Sequence, residues 1–300
     1  MPDLTVRSQE PLARSTTLKV GGPAELLVEA ASEAALAHLA VVTHEAGIPL
    51  HLLGLGSNVL IPDAGLSGVV TRLVGELKRV RVRPPRISAG GGAVLAQVAR
   101  RAAVAGLAGL ETLAGFPSTI GGAVFMNAGS YGTEIADVLA SVRVVERDGR
   151  RRRLAPADLE ASYRSTNLKR SGAIVTRAHF ALRSGNAAEL LGRIDELNRK
   201  RWAALPSGVP NAGSIFKNPP GDYAGRLIEV CGLKGRTVGG AQISEKHANV
   251  IVNRGGASAA DVLALMRAAH DAVAERFGVR LEPEIILLGG LAARWRGETA

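Results

Sequence analysis

Gly54-Leu55-Gly56-Ser57-Asn58-Val59 is the stretch on which the fold class turns. It opens like the Gly-x-Gly-x-x-Gly fingerprint of a doubly wound dinucleotide fold, in which a strand runs through a glycine turn into a helix. Here Val59 stands in the third glycine position, and Val59-Leu60-Ile61 has the apolar, β-branched character of a strand. A turn that leads into a second strand puts no helix N-terminus on a pyrophosphate, so the doubly wound reading is set aside. Two readings of the loop remain. It is an ordinary strand connection, or a phosphate cradle in which glycine N–H groups and the Ser57 and Asn58 side chains donate.

The flanking sequence supplies the rest of the architecture. Ser32 precedes Ala35, Leu36, Leu39, Ala40 and Thr43 at helical spacing, and Gly47 and Pro49 end the run, which predicts a capped helix. A strand over 48–53 then enters the loop. A second helix is expected over 93–105, burying Val94, Leu95, Val98 and Ala102 and stopping at Gly106. Asp148-Gly149 joins 142–146 to 152–154 as a hairpin. A long amphipathic helix over 187–204 ends before Pro206, and the loop-rich 207–213 that follows marks a domain boundary. Ser258-Ala259-Ala260-Asp261 is a capping box opening a helix that Gly278 closes, and 285–288 reads as a final strand. Helices, strands and hairpins intermingle, so the class is α+β.

Composition narrows the function. Three hundred residues suggest about two domains, and 46% hydrophobic with 21% charged residues is a globular balance. No apolar run reaches the ~18 residues of a membrane span, and the N-terminus lacks the apolar core of a signal peptide. The single cysteine, Cys231, excludes a disulfide framework and any multi-cysteine metal site. A soluble, cytoplasmic protein is expected. The formal charge of +10 invites a nucleic-acid partner, but aromatics are only 3%, too few for stacking platforms. Arg150 to Arg153 follow Gly149 on the hairpin with no aromatic between them, as a solvated edge would. His44 and His51 are seven apart and His247 and His270 isolated, so no metal site is predicted.

Three further segments carry polar groups suited to chemistry. The run 111–129 is glycine-rich, weakly charged and without a clear period, and such irregular stretches tend to be functional. With the first loop it raises the odds of a nucleotide ligand, against a buried loop packed through glycine. Gly213-Ser214-Ile215-Phe216-Lys217-Asn218-Pro219 sets a hydroxyl, an ammonium and an amide within five residues. It lacks a Gly-x-Ser-x-Gly elbow, so Ser214 is a proton donor or a cap rather than a hydrolase nucleophile. Tyr163-Arg164 and Leu281-Glu282-Pro283-Glu284 complete the set, with ordinary solvent exposure as the simpler reading of both.

From Thr16-Thr17-Leu18-Lys19-Val20-Gly21-Gly22 to Leu281-Glu282-Pro283-Glu284 these motifs, with Asn127-Ala128-Gly129-Ser130-Tyr131-Gly132 and Ser244-Glu245-Lys246-His247-Ala248-Asn249, stand in an order that resembles the UDP-N-acetylenolpyruvoylglucosamine reductase (MurB) family. The spacing is similar to its shorter subclass, which lacks an inserted tyrosine loop. The resemblance implies an FAD-binding PCMH-type region of two α+β subdomains, 1–70 and 71–205, and a C-terminal α+β substrate domain, 206–300. It implies FAD held by Gly54, Leu55, Gly56, Ser57, Asn58, Gly115, Ser118, Thr119, Gly121, Gly122 and Ala123. It implies NADPH as reductant and UDP-N-acetylglucosamine enolpyruvate as substrate, touched by Tyr163, Lys217, Asn218 and His247, in a monomer. Ser214, Arg164 and Glu284 would be catalytic, with Glu282 in the more variable position.

Two departures stand out. Phe116-Pro117-Ser118 replaces the usual Ile-Pro-Gly, and Leu168 stands where an aromatic is usual. In the implied chemistry, hydride goes to the terminal methylene of the enolpyruvyl group, Arg164 stabilises the resulting enolate, a protonated Glu284 supports it, and Ser214 protonates the alpha carbon. Another FAD oxidoreductase of the same cofactor fold, with no need of the Ser214 and Glu284 segments, is one alternative. A basic nucleic-acid-binding protein is the other.

Overall fold

Ser32 acts as its position predicts: its hydroxyl accepts the Ala35 N–H at 3.2 Å and opens helix α1 (Glu33–Glu45). The computed structural model in which this is seen describes residues 3–298. The chain falls into two units, each gathered from separated segments. The first takes Met1–Arg7, Leu26–Gly54 and Gly68–Arg201, and the second Ser8–Glu25, Leu55–Ser67 and Trp202–Ala300.

The first unit is built on a five-stranded antiparallel sheet ordered Arg151–Leu154, Leu139–Val145, Ile174–Ala181, Arg86–Gly90 and Val80–Arg83. Register puts Val142 opposite Ala178, Ala178 opposite Ala89, and Phe180 opposite Ile87. Those side chains share one face and are buried against Leu95, Val98, Ile120 and Val124 of helices α2 (Leu95–Val104) and α3 (Ile120–Phe125). Each large apolar side chain so covered contributes roughly 1.5–3 kcal/mol. On the other face α1 covers one end, where Leu36, Ala37 and Ala40 meet Val145 and Ile174. The rest of that face is polar. The glycines 90–92 lie where strands press closest: a Cβ at Gly91 would stand 1.9 Å from the Val175 carbonyl oxygen.

The hairpin forms as expected, with Gly149 at φ +80° in its turn and Glu146 N–H on the Arg150 carbonyl at 2.8 Å. The run 111–129, in contrast, is less irregular than its sequence suggests. It holds a 3-10 turn at Glu111–Leu113 and then α3, whose Gly121-Gly122 pair hides the helical pattern because glycine is a poor helix former.

The second unit has a four-stranded antiparallel sheet ordered Asn211–Ser214, Val250–Asn253, Ala241–Ile243 and Thr237–Val238. The helix Ala259–Phe277 packs on it through Val262, Leu263, Met266, Ala269 and Val273, in a core that Leu18, Val20 and Leu60 complete. Val59–Leu60 pairs in parallel with Ile286–Leu287, so the strand read after the glycine loop is real. The helix over 187–204 is found at those bounds. No helix among the described residues is long and apolar enough to cross a membrane.

Candidate active site

The two glycine-rich segments meet within the first unit at Gly54 and Thr119. A Cβ at Gly54 would come within 2.8 Å of the Thr119 hydroxyl, so a larger residue there would force the loops apart. That hydroxyl accepts the Gly122 N–H at 3.2 Å and caps α3, while Gly121 N–H is tied to the Gly91 carbonyl at 2.7 Å and Ala123 is buried. Among the described residues the N–H groups of Gly115, Ser118 and Thr119 have no protein partner. Ser118 takes no left-handed backbone, and its hydroxyl donates to the Thr119 carbonyl at 2.9 Å. The serine at this departure from Ile-Pro-Gly therefore takes a backbone open to any residue.

Leu55, Gly56, Ser57 and Asn58 belong to the second unit. Gly56 is obligatory: its φ is +63°, and a Cβ would lie 2.2 Å from the Ser15 carbonyl oxygen. The N–H groups of Leu55, Gly56 and Asn58 also find no protein partner among the described residues, although Gly56 is buried. Buried amides are normally paired. Within each unit, unpaired amides beside close-packed glycines that keep Cβ atoms away are donors of the kind a dinucleotide pyrophosphate takes. The residues present fit FAD.

Asn58 links this loop to a chain segment carrying an acid. Its Nδ2 donates to the Glu284 carbonyl at 3.1 Å. Glu284 N–H in turn donates to the Ile215 carbonyl at 2.8 Å, and Lys217 N–H to the Glu282 carbonyl at 2.9 Å. Residues 215–217 and 282–285 thus run side by side, and Ser214 ends the strand Asn211–Ser214 rather than capping a helix. Gly213, at φ +71°, has open space where a Cβ would be. The Lys217 ammonium sits 3.0 Å from the exposed Glu282 carboxylate, while the Asn218 carbonyl oxygen accepts the Ala224 N–H at 3.1 Å. His247 Nδ1 accepts the Asn249 N–H at 3.3 Å.

Tyr163 and Arg164 lie in the first unit. Arg164 holds a left-handed backbone at φ +55°, uncommon for a long side chain and costing on the order of 1–3 kcal/mol. Its contacts include the following. Its Nη2 donates to the Gly129 carbonyl at 3.0 Å, its own carbonyl accepts the Lys169 ammonium at 2.7 Å, and its guanidinium lies 4.8 Å from the centre of the Tyr163 ring. The Leu168 departure is absorbed in the core, where that side chain is fully buried, and Thr166 donates to the Phe125 carbonyl at 2.9 Å.

Sequence reasoning passed over two asparagines that organise these segments. Buried Asn249 accepts from Phe216 N–H at 2.9 Å and donates to Phe216 C=O at 2.8 Å, clamping the chain two residues beyond Ser214. Buried Asn127 donates to the Ser162 carbonyl at 3.0 Å, two residues before Arg164, and to Glu134 at 2.6 Å. Both lay inside quoted motifs, and their apolar neighbours were the available signal of buried, bonded amides.

Comparison with known proteins completes the case. A family profile described as an FAD binding domain matches residues 24–155, and one described as the UDP-N-acetylenolpyruvoylglucosamine reductase C-terminal domain matches 205–288. UDP-N-acetylenolpyruvoylglucosamine reductase 2 of Symbiobacterium thermophilum is 48% identical over 95% of this chain and 92% of its own. The Heliobacterium modesticaldum enzyme is 45% identical over 94% and 90%. The crystal structure of the MurB reductase from Thermus caldophilus superposes with a TM-score of 0.82 at 40% identity, covering 95% of this chain and 99% of that one. Matches of that extent show that this chain belongs to the UDP-N-acetylenolpyruvoylglucosamine reductase family.

Proposed function

We propose that Ser214, Arg164 and Glu284 carry the proton and charge chemistry of the reaction this chain performs, the FAD-dependent, NADPH-consuming reduction of UDP-N-acetylglucosamine enolpyruvate to UDP-N-acetylmuramate in peptidoglycan precursor synthesis. The observation that carries the assignment is the hydrogen-bonded run Asn58–Glu284–Ile215, which ties a cofactor-loop residue, the acid and the serine's strand into one rigid set. FAD, when bound, supplies the hydride relay between nicotinamide and substrate. The chain's part is everything else.

The Arg164 guanidinium is a permanent cation with a planar fork, suited to the substrate carboxylate as charge builds on it. Its strained backbone is paid by the Gly129 and Lys169 contacts, which pre-organise the fork before substrate arrives. Glu284 donates a hydrogen bond to the same developing charge, which requires its protonated form. Ser214 Oγ delivers the proton to the alpha carbon, a step a weak acid can perform toward so basic a carbanion when held within hydrogen-bond reach. Lys217 exchanges its exposed Glu282 partner for a substrate phosphate, at little cost because such a pair is worth about 0–1 kcal/mol. Asn218 contributes its amide NH₂, and His247 and Tyr163 line the remainder of the substrate.

The division of labour we assign is cofactor binding to 1–70 and 71–205 and substrate binding to 206–300, in a cytoplasmic monomer. The two family profiles, over 24–155 and 205–288, support the separation of cofactor and substrate segments near 205. Stopped-flow absorbance separates the half-reactions. Ser214→Ala is expected to keep flavin bleaching by NADPH and to lose reoxidation by the sugar nucleotide. Equal loss of both would remove Ser214 from its role. Flavin that bleaches but is reoxidised by oxygen alone, even in the unaltered protein, would favour a different oxidoreductase.

A further inference from the structure

Besides the Arg83–Arg86 pair at one end, the polar face of the five-stranded sheet gathers six basic side chains from four of its strands. Arg153 stands opposite Arg143, and Arg143 opposite Arg177. His179 stands opposite Ser88, which stands opposite Arg81, and Arg151 lies two residues before Arg153 on the same side. The other face of the sheet is the apolar one under α2 and α3.

Among the described residues two carboxylates, Glu33 and Glu76, serve these groups, and both are occupied. Glu33 accepts Arg143 at 2.6 Å, lies 3.9 Å from Arg151, and also accepts the Thr176 hydroxyl. Glu76 accepts the Glu33 N–H. Arg177 reaches only the Glu76 backbone carbonyl, at 3.5 Å, and its Nη1 is buried with no partner among the described residues. Burial first, and then Arg81 and Arg143, hold the Arg177 guanidinium below its usual range. Burial, Arg153, Arg177 and Arg143 likewise push His179 down, toward the neutral imidazole. The cluster is a concentration of like charge that Glu33 and Glu76 offset only in part.

We propose that this sheet face is an anion site that takes a compact oligophosphate of two or three phosphates, held by Arg143, Arg153 and Arg177. The guanidinium fork matches phosphate oxygens two at a time. Neighbouring strands are about 4.8 Å apart, so the three strands bearing these arginines span roughly 10 Å, the length of such a chain. The floor is recessed: Ser141 is buried and accepts Arg153 Nε at 3.1 Å, Arg177 and His179 are half-buried, and Arg143 and Arg153 rise exposed beside them. A narrow ligand enters such a floor, whereas a planar lipid surface meets only its rims. No aromatic stands among the paired residues of this face to stack a base.

Calorimetric titration of the FAD-loaded full chain with tripolyphosphate at low ionic strength is the test. The unaltered protein should bind it, and Arg143→Gln with Arg153→Gln should weaken that binding at least about tenfold. Arg236→Gln and Lys217→Gln, in the second unit, should not. Both face arginines are exposed, so the double variant should keep its melting temperature and its turnover. The His179 imidazole, followed by NMR, should titrate at higher pH when tripolyphosphate is present. Absence of binding, retained binding in the double variant, or loss with Lys217→Gln instead would overturn the assignment. So would binding of poly-glutamate in preference to tripolyphosphate, which would make the face a dock for an acidic polypeptide.

Discussion

Arg164, which we propose as catalytic, shows how much of a side chain's setting is invisible in its neighbours along the chain. Thirty of the chain's residues are arginine, and nothing in Tyr163-Arg164-Ser165 marks this one except the family resemblance. The structure adds the reason: a left-handed backbone held by Lys169, five residues on, and by Gly129, thirty-five residues earlier and outside any local window. Arg164→Lys keeps the charge and loses the fork. It is expected to lower the rate of flavin reoxidation by substrate roughly 10²–10³-fold, the size of losing one preorganised donor, while bleaching by NADPH persists in stopped-flow traces. Asn249 is the structural counterpart. Asn249→Ala leaves both polar groups of the Phe216 peptide buried and unpaired, and a loss of about 2–3 kcal/mol is expected in denaturant unfolding. The motifs point to Ser214 and Glu284 as candidates, but the asparagine that clamps the chain beside Ser214 was only a letter within one.

Elements with strong punctuation were the easiest to read. The helix Ala259–Phe277 begins at a reciprocal box, Ser258 Oγ accepting Asp261 N–H at 3.0 Å and Asp261 accepting Ser258 N–H at 2.9 Å, and ends at Gly278 with φ +68°. What the sequence could not show is a second anion on the same helix end. Asp63, some two hundred residues earlier, accepts Ala259 N–H at 2.7 Å and Ala260 N–H at 3.1 Å. Ser258→Ala should cost about 1 kcal/mol in thermal or chemical unfolding. The Ser258 N–H holds the Asp261 carboxyl below its usual range. A depressed acid stabilises the fold above its unfolded pKa and loses that contribution as pH falls through its folded one. The stability gap between the unaltered protein and Asp261→Asn should therefore be full at neutral pH and close in acid below the ordinary carboxylate range. The short α3 was the harder case. Its glycines serve close packing and the loop beside it, and those demands override the pattern by which helices are recognised.

At the scale of the whole molecule the linear order of segments misleads. Read along the sequence, the loop-rich stretch before Gly213 looks like the start of a self-sufficient C-terminal domain, and one family profile does begin at 205. Yet the core around the helix Ala259–Phe277 includes Leu18, Val20 and Leu60, and buried Asn253 donates to the Leu18 carbonyl at 3.1 Å. Residues 202–300 expressed alone are expected to give a poorly dispersed amide NMR spectrum, and adding a fragment that carries 8–67 should not restore it fully unless both segments dock. Periodicity and turn residues report local structure, so they reveal strands and helices. Which distant segments share a core is decided by side chains meeting across the chain, and no local window contains that.

The interleaving of the two units has a consequence for synthesis. Residues 8–25 and 55–67 leave the ribosome early, but the partners that bury Leu18, Val20 and Leu60 are encoded from Trp202 onward. At roughly 5–20 residues per second, these apolar strips wait on the order of ten seconds for the rest of their core. During that interval they are exposed on a nascent chain whose first unit is still acquiring its own sheet, which makes this the period in which a chaperone would have something to hold.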